Sequence, residues 1–375
     1  MYVNVAVLKE TQPHERRVAL VPGLISKLTL LGARLHMQSG AGVAGGLLDG
    51  DFHDVVIQTD RAAMVSVADV VLAVQAPAIA VIEAMQEGAV LICFVNPIHD
   101  AELIKHLLAR RITCFAMASI PRVTRAQSMD ALSSQAALSG YYAVLLGATH
   151  LPRVLPKVTT AAGTIGPAKV LVMGLGVAGL EAVATAHRLG ALVEGYDVRP
   201  DTAEQIASLG ASFVSTGVDA TGKGGYARAL TAAESAKIDK VLTSHIQDAD
   251  LIITTAAIPG HRSPQLISKA QVTAMKSGSV IVDLAAEGGG NCANSVPGEF
   301  IHVGAVTIIA PLNLPSSLPA DASALYARNV ANLLSLMLKD NVITIDWQDT
   351  ILAQTAITHA GKLVAPDPKT NPKAA

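Results

Sequence analysis

Ala168 to Pro200 reads AKVLVMGLGVAGLEAVATAHRLGALVEGYDVRP. Val170–Met173 is a short apolar run without a polar break, the pattern of a strand buried on both faces of a parallel sheet. It leads into Gly174-Leu175-Gly176-Val177-Ala178-Gly179, and helix-spaced Leu180, Val183, Ala184, His187 and Leu189 follow at once. A second strand pattern, Ala191–Tyr196, ends in Asp197. Each glycine has a mechanical task. Gly174 makes the tight turn, Gly176 lets a pyrophosphate approach the backbone, and Gly179 lets the helix pack on its strand. The first N–H groups of the helix, at Val177 and Ala178, then face the phosphates, aided by the helix dipole. Asp197 lies 18 positions beyond Gly179 (197 − 179), where a carboxylate accepts hydrogen bonds from an adenosine ribose. Glycine triplets alone also occur in strand–helix turns that hold no ligand. Strand before, helix after and acid at this spacing together point to a bound dinucleotide. Asp197 favours NAD(H), and Val198-Arg199 follows it directly, an arginine there being able to accommodate a 2′-phosphate.

A chain of 375 residues has the length of two domains, each able to bury its own core. Hydrophobic residues reach 51% and charged residues only 15%, while aromatics are 3%. The core is therefore aliphatic, which suits α/β packing, and the excess apolarity fits a buried interface such as a homodimer or a docked subunit. Two charge-free windows raise the question of a membrane span. Ala131–Pro152 carries Ser133, Ser134, Gln135, Ser139 and Gly140, and Phe300–Ala320 is broken by Pro311, Pro315 and Pro319, so neither reads as a spanning helix. Net charge is −2 with no basic run, which disfavours nucleic acid as a partner. Cys93, Cys114 and Cys292 have no metal-ligand spacing and read as buried thiols. The N-terminus opens on a strand pattern without a signal peptide, and a cytoplasmic location is the expectation.

The rest of the chain alternates strands with helices, giving parallel sheets with crossovers. Strand patterns fall at Tyr2–Leu8, Arg34–Gln38, Val67–Val74, Ala89–Val95 and Ile112–Ala118. The fold class expected is α/β, with two doubly wound, Rossmann-like parallel-sheet domains and a cleft between them. Residues 1–124 with 340–375 form the first domain, its C-terminal tail folding back on it; 149–320 form the second. Residues 125–148 and 321–339 connect them as helices. A long helix is expected to open at Pro121 and run towards Leu146, with Gln127, Asp130 and Ser134 on one face beside Ser133, and with Leu132, Ala136 and Val144 on the packed side. Those polar residues are either a solvated stripe or a ligand-facing group at the domain junction, with Arg122 as a planar donor just ahead. Thr216–Gly225, leading to Tyr226, is glycine-rich and reads equally as a surface loop or a closing lid. Ala257 and Ile258 follow the strand Leu251–Thr255 at its carboxyl end, where doubly wound folds bind ligands. Short strand patterns are expected at Val342–Ile345 and Thr350–Leu352.

The runs KETQPHERRVALVP, PRVTRAQSMDALSSQ, TTAAGTIGPAKVLVMGLGVAGLEA, TTAAIPG and VDLAAEGGGNC resemble the NAD(H)-binding component of the proton-translocating nicotinamide nucleotide transhydrogenases. That component is a relative of alanine dehydrogenase, and the resemblance covers nearly the whole chain. It implies NAD(H) as cofactor and hydride exchange with NADP(H) on a separate component, coupled to proton movement by a membrane component. It also implies a homodimer, held at the inner face of the membrane through its partners. By position, Arg122, Gln127, Asp130 and Ser133 match the residues that hold the nicotinamide end. Val177 and Asp197 match the phosphate and ribose contacts. Gly225 and Tyr226 match the mobile loop.

Alanine dehydrogenase is the alternative enzyme. Its reaction moves a proton as well as a hydride, so it needs a base and a cation for the substrate carboxylate. The resemblance puts a His and a Lys at those places, where this chain has Asn96 and Gln75. Arg17, matching a carboxylate-binding arginine, is retained, and His99 lies close to Asn96. A non-enzymatic NAD-binding module is the third reading.

Overall fold

The computed structural model describes residues 2–96, 100–221, 228–257 and 262–364. The chain divides into two compact units, Met1–Gln135 with Pro315–Ala375, and Ala136–Leu314. The first unit begins with β1 (Val3–Val7), β2 (Ala33–Gln38), β3 (Val56–Gln58), β4 (Val70–Leu72), β5 (Val90–Cys93) and β6 (Thr113–Ala116). The second holds a hairpin, β7 (Val158–Thr160) and β8 (Gly163–Ile165), then β9 (Lys169–Met173), β10 (Leu192–Tyr196) and β11 (Ser212–Phe213). It continues with β12 (Leu251–Thr254), β13 (Val280–Asp283), β14 (Phe300–Val303) and β15 (Val306–Ile309). Back in the first unit come β16 (Leu338–Lys339), β17 (Val342–Ile343), β18 (Ala356–His359) and β19 (Lys362–Leu363).

The first sheet has the order β19-β18-β6-β5-β4-β1-β2-β3, and the second β11-β10-β9-β12-β13-β15-β14. Within each, six strands are parallel in the order 3-2-1-4-5-6 of a doubly wound fold. Antiparallel edges are added by β18 on β6 and by β14 on β15. The expectation of two Rossmann-like sheets holds. Its cause is visible in the core, because every second residue enters a different cluster. Val5, Val70 and Ile92 pack on one face of the first sheet, and Ala6, Val71 and Leu91 on the other. Val170, Val172 and Ile253 likewise oppose Leu171, Met173 and Ile252 in the second. Strands covered on both faces have no polar side to show, hence the unbroken apolar runs.

Three local expectations are corrected. The stretch from Pro121 is not one helix: Thr124–Met129 is a 3-10 turn, Asp130 leaves helical geometry with ψ 88, and the α-helix is Ala131–His150. Asp130 restarts the helix by accepting the Ser133 N–H at 2.9 Å. Leu132, expected on the packed side, is 47% exposed, while Ala131 and Val144 are buried. Thr350–Leu352 belongs to a helix, Thr350–Thr355, because Asp349 caps it through the Ile351 N–H at 2.9 Å. Val67 closes the helix Arg61–Ser66 and does not join β4.

The strand order of the first sheet reverses between β1 and β4, and a charged network follows those two strands. Glu10 accepts the backbone N–H groups of Val74 (2.6 Å) and Gln75 (3.3 Å). The Arg17 guanidinium donates to both Glu15 oxygens, at 2.8 and 2.6 Å, and to Gln135 Oε1 at 2.8 Å. Gln75 Nε2 donates to Glu15 at 2.9 Å. Burial disfavours the Glu15 carboxylate, but the Arg17 hydrogen bonds and charge outweigh it and hold the group at about 2. Burial, against the Val74 N–H and with the Glu15 charge added, pushes the Glu10 carboxyl up to about 7. A raised carboxyl stabilises the fold below its unfolded pKa and loses that contribution as pH climbs through the folded value. The melting temperature is therefore expected to fall between about pH 5 and about pH 8, and Glu10→Gln to flatten that fall. Thermal melts across this range decide it; equal slopes in both proteins contradict the assignment.

Candidate functional site

The second sheet reverses its order between β9 and β12, and the glycine turn leaves β9 there. Gly174 has φ +97, and a Cβ on it would lie 2.8 Å from Thr255 Oγ1 and 2.9 Å from Ala256 N. A Cβ on Gly179 would meet Gly174 O at 1.8 Å. These two glycines let the helix Val177–Arg188 start hard against its strand. Gly176 differs: it is the N-cap residue, and a Cβ there would have no protein atom within 4 Å. That open side faces outward beside a helix start with no side-chain cap. The donors at Val177, Ala178 and Gly179 are orphaned by helix geometry, and the dipole favours a negative charge there. Space plus donors fit a pyrophosphate.

A second glycine fixes this helix from its other neighbour. Gly140 lies on the helix Ala131–His150, and a Cβ on it would come 2.0 Å from Ala178 O. The backbone of the phosphate-facing turn is thus seated on a residue that has no side chain. Nothing in the sequence around Gly140 announced this contact.

Asp197 stands at the end of β10, 8% exposed. Its Oδ2 accepts the Leu175 N–H at 2.7 Å, so the carboxylate ties the second strand to the glycine turn. Arg199 supplies three more donors: its backbone N–H (3.0 Å) and Nε (2.8 Å) to Oδ1, and Nη2 (2.7 Å) to Oδ2. The sequence spacing placed Asp197 at the ribose position but gave no sign of this fork. Val198 packs at the margin of the core, its carbonyl accepting the Ala220 N–H at 2.9 Å.

The turn after β12 is held by residues that the sequence patterns did not single out. Asn291, fully buried, accepts the Ala256 N–H at 3.0 Å and donates to Ala256 O at 2.8 Å and Pro264 O at 2.7 Å. Asn291 is itself held by Asp283, which accepts its N–H at 2.9 Å, the Cys292 N–H at 3.0 Å and the Ser295 hydroxyl at 2.6 Å. Thr254 Oγ1 and the Ala285 N–H complete the carboxylate's partners. A buried carboxylate met by five donors is stabilised without a counter-charge. Its signal was present in the run VDLAAEGGGNC, as an acid at a strand end before a glycine cluster. Ala257 is exposed at the mouth of this turn, and Ile258 lies outside the described residues, as do Gly225, Tyr226 and His99.

Arg122, Gln127, Asp130 and Ser133 all lie in the first unit. They do not share one helical face, since the 3-10 turn ends before the helix begins. Asp130 and Ser133 are bonded to each other, the Ser133 hydroxyl donating to Asp130 Oδ2 at 2.6 Å. The Asp130 carboxylate is thereby a helix cap. Arg122 and Gln127 are exposed. The 3-10 turn is anchored through Ser128 O, which accepts Asn329 Nδ2 at 2.9 Å and Asn332 Nδ2 at 3.0 Å. Gln75 and Asn96 line a cavity of about 220 Å³ in the first unit with Gln12, Phe94 and Asp100. Among the described residues no cluster of three or more His, Cys, Asp or Glu could hold a metal ion.

Comparison with known proteins puts these observations in one lineage. Models of the alanine dehydrogenase/PNT N-terminal and C-terminal domains match residues 6–139 and 143–366. The chain is 41% identical to the separately encoded first portion of the NAD(P) transhydrogenase subunit alpha of Rhodospirillum rubrum, over 97% of this chain and 98% of that one. The crystal structure of transhydrogenase from Sinorhizobium meliloti matches with TM-score 0.85 at 39% identity, covering 97% and 99% of the two chains. Alanine dehydrogenase of Mycobacterium tuberculosis is more distant, at 28% over 97% and 95%. The chain belongs to the alanine dehydrogenase/PNT family, on the side of the NAD(P) transhydrogenase alpha subunits.

Proposed function

We propose that this chain is the NAD(H)-binding part of a proton-translocating transhydrogenase, exchanging hydride with NADP(H) held by a partner component. The observation that carries the reading is the glycine turn, with Gly176 open on its outer side beside an uncapped helix start, in a chain that follows a transhydrogenase alpha subunit almost end to end. The N–H groups of Val177, Ala178 and Gly179 hold the pyrophosphate, and Gly174 keeps the turn tight. Asp197, with Val198 and Arg199 beside it, receives the adenosine ribose. Ala257 and Ile258 border the dinucleotide, and Gly225 and Tyr226 close over it. Arg122, Gln127, Asp130 and Ser133 fix the nicotinamide end.

Bound NAD(H) supplies or accepts a hydride at its nicotinamide ring, and the second nicotinamide takes or gives it in a single step. No proton changes hands, so the chain has to orient rather than to act as acid or base. Its work is to bring two rings into a near-attack arrangement, about 3–3.5 Å apart. The pattern at Asn96 and Gln75 supports this over amino-acid deamination, since neither amide can serve as a base or carry a charge near neutral pH. Gln75 Nε2 also donates to Glu15. No helix among the described residues is long and apolar enough to cross a membrane. In this reading the proton path lies on a membrane component, which holds this chain, as a homodimer, at the inner face.

Two outcomes follow. An Asp197 carboxylate repels a 2′-phosphate, so NADH is expected to bind better than NADPH, with Asp197→Ala narrowing the gap. Fluorescence titration of both nucleotides decides this, and equal affinities in the unaltered protein would sink the assignment. Gln127→Asn keeps the amide and shortens its reach. Binding is expected to weaken by only about 0.5–1.5 kcal/mol, while hydride exchange with an NADP⁺ analogue in the reconstituted complex slows by up to about a hundredfold. Equal losses in affinity and rate would reduce Gln127 to a uniform binding contact.

A further inference from the structure

The Asp197 carboxylate is fully committed to its own chain. A carboxylate offers about four acceptor positions, and four donors reach this one: Leu175 N, Arg199 N, Arg199 Nε and Arg199 Nη2. Two of these are backbone groups fixed by the glycine turn and by the bend at Val198. The other two are the guanidinium fork, aligned on both oxygens at 2.8 and 2.7 Å, a geometry that an arginine holds well. The Arg199 side chain is 24% exposed, against 6% for Asp197. The arginine thus has an outlet to solvent, while the carboxylate has none except through the arginine.

Taking Asp197 as the ribose acceptor, as proposed above, the hydroxyls of an incoming ribose require the positions that Nε and Nη2 hold. We propose that Arg199 is a specificity-determining competitor for the ribose seat, an internal cation that keeps the carboxylate in place and is displaced by ribose hydroxyls when an adenine nucleotide binds. Affinity for ribose-bearing ligands is then set by an exchange, guanidinium for hydroxyls, and not by addition to a waiting acceptor. A ligand with no ribose hydroxyls gains nothing from the exchange and leaves the fork closed.

The test compares ADP with 2′,3′-dideoxy-ADP, alongside NADH, by calorimetric titration of the unaltered protein, Arg199→Met and Arg199→Lys. Arg199→Met keeps an apolar stem and removes the donors; Arg199→Lys offers one ammonium that cannot span both oxygens, and serves if the first variant does not fold. The preference for ADP over dideoxy-ADP is expected to rise about tenfold in Arg199→Met, the size of one net hydrogen bond to a charged group, and by less in Arg199→Lys. Any change in general charge acts on both ligands alike and cancels in this ratio. A preference that stays the same or falls overturns the competition. If the unaltered protein binds neither NADH nor ADP, the nucleotide reading itself fails, and the competition with it.

Discussion

One hydrogen bond, from the Leu175 N–H to the Asp197 carboxylate at 2.7 Å, couples the two strands on which the nucleotide reading rests. It fixes the glycine turn after β9 to the end of β10, so the phosphate-facing donors and the ribose-facing acid form one rigid piece. Other contacts confine that piece. Gly179 must lie under Gly174 O, Gly140 must lie over Ala178 O, and Thr255 donates its hydroxyl to Gly174 O at 2.8 Å. The turn is held wherever a Cβ would collide, and left open at Gly176, where a Cβ would meet nothing. Such contrast between crowded and open glycines is what a backbone built to receive a ligand requires.

The same economy governs the charged groups. Asp283 is buried without a counter-ion and is stabilised by donors alone, with its order passed through Asn291 to the turn at Ala256. In the first unit the Glu15 charge is met by Arg17, whose side chain is 3% exposed. Removing one member of such a pair leaves a buried charge unmet, which is the costly case. An arginine already forked onto a carboxylate of its own chain is poorly placed to receive a substrate carboxylate. This agrees with the amides at Gln75 and Asn96, and it separates the chain chemically from its alanine dehydrogenase relatives, beyond the difference in identity.

What could be read from sequence follows the range of the interactions. Strands buried on both faces announce themselves as apolar runs, so both sheets were legible, and the β9–turn–β10 unit was legible because its determinants lie within Ala168–Pro200. The misplaced boundaries at Ala131 and Thr350 share a cause. Asp130 and Asp349 each start a helix by accepting a backbone N–H, a choice that apolar periodicity does not register. Long-range contacts were silent: Gly140 meets Ala178, and Asn291 meets Ala256, across spans that no local pattern connects. The Arg199 fork is the instructive case, since its two partners are only two residues apart. Spacing showed that an acid and a base were near each other, but not that they were already paired.

The central claim is that the backbone N–H groups of the turn after β9 are the dinucleotide's phosphate seat. Amide hydrogen exchange with and without saturating NADH measures those groups directly. Exchange across Gly174–Gly179 is expected to slow markedly when NADH is added, as the phosphates take up the open donors. Unchanged exchange across Gly174–Gly179, with NADH bound and protection appearing only elsewhere, would contradict the account.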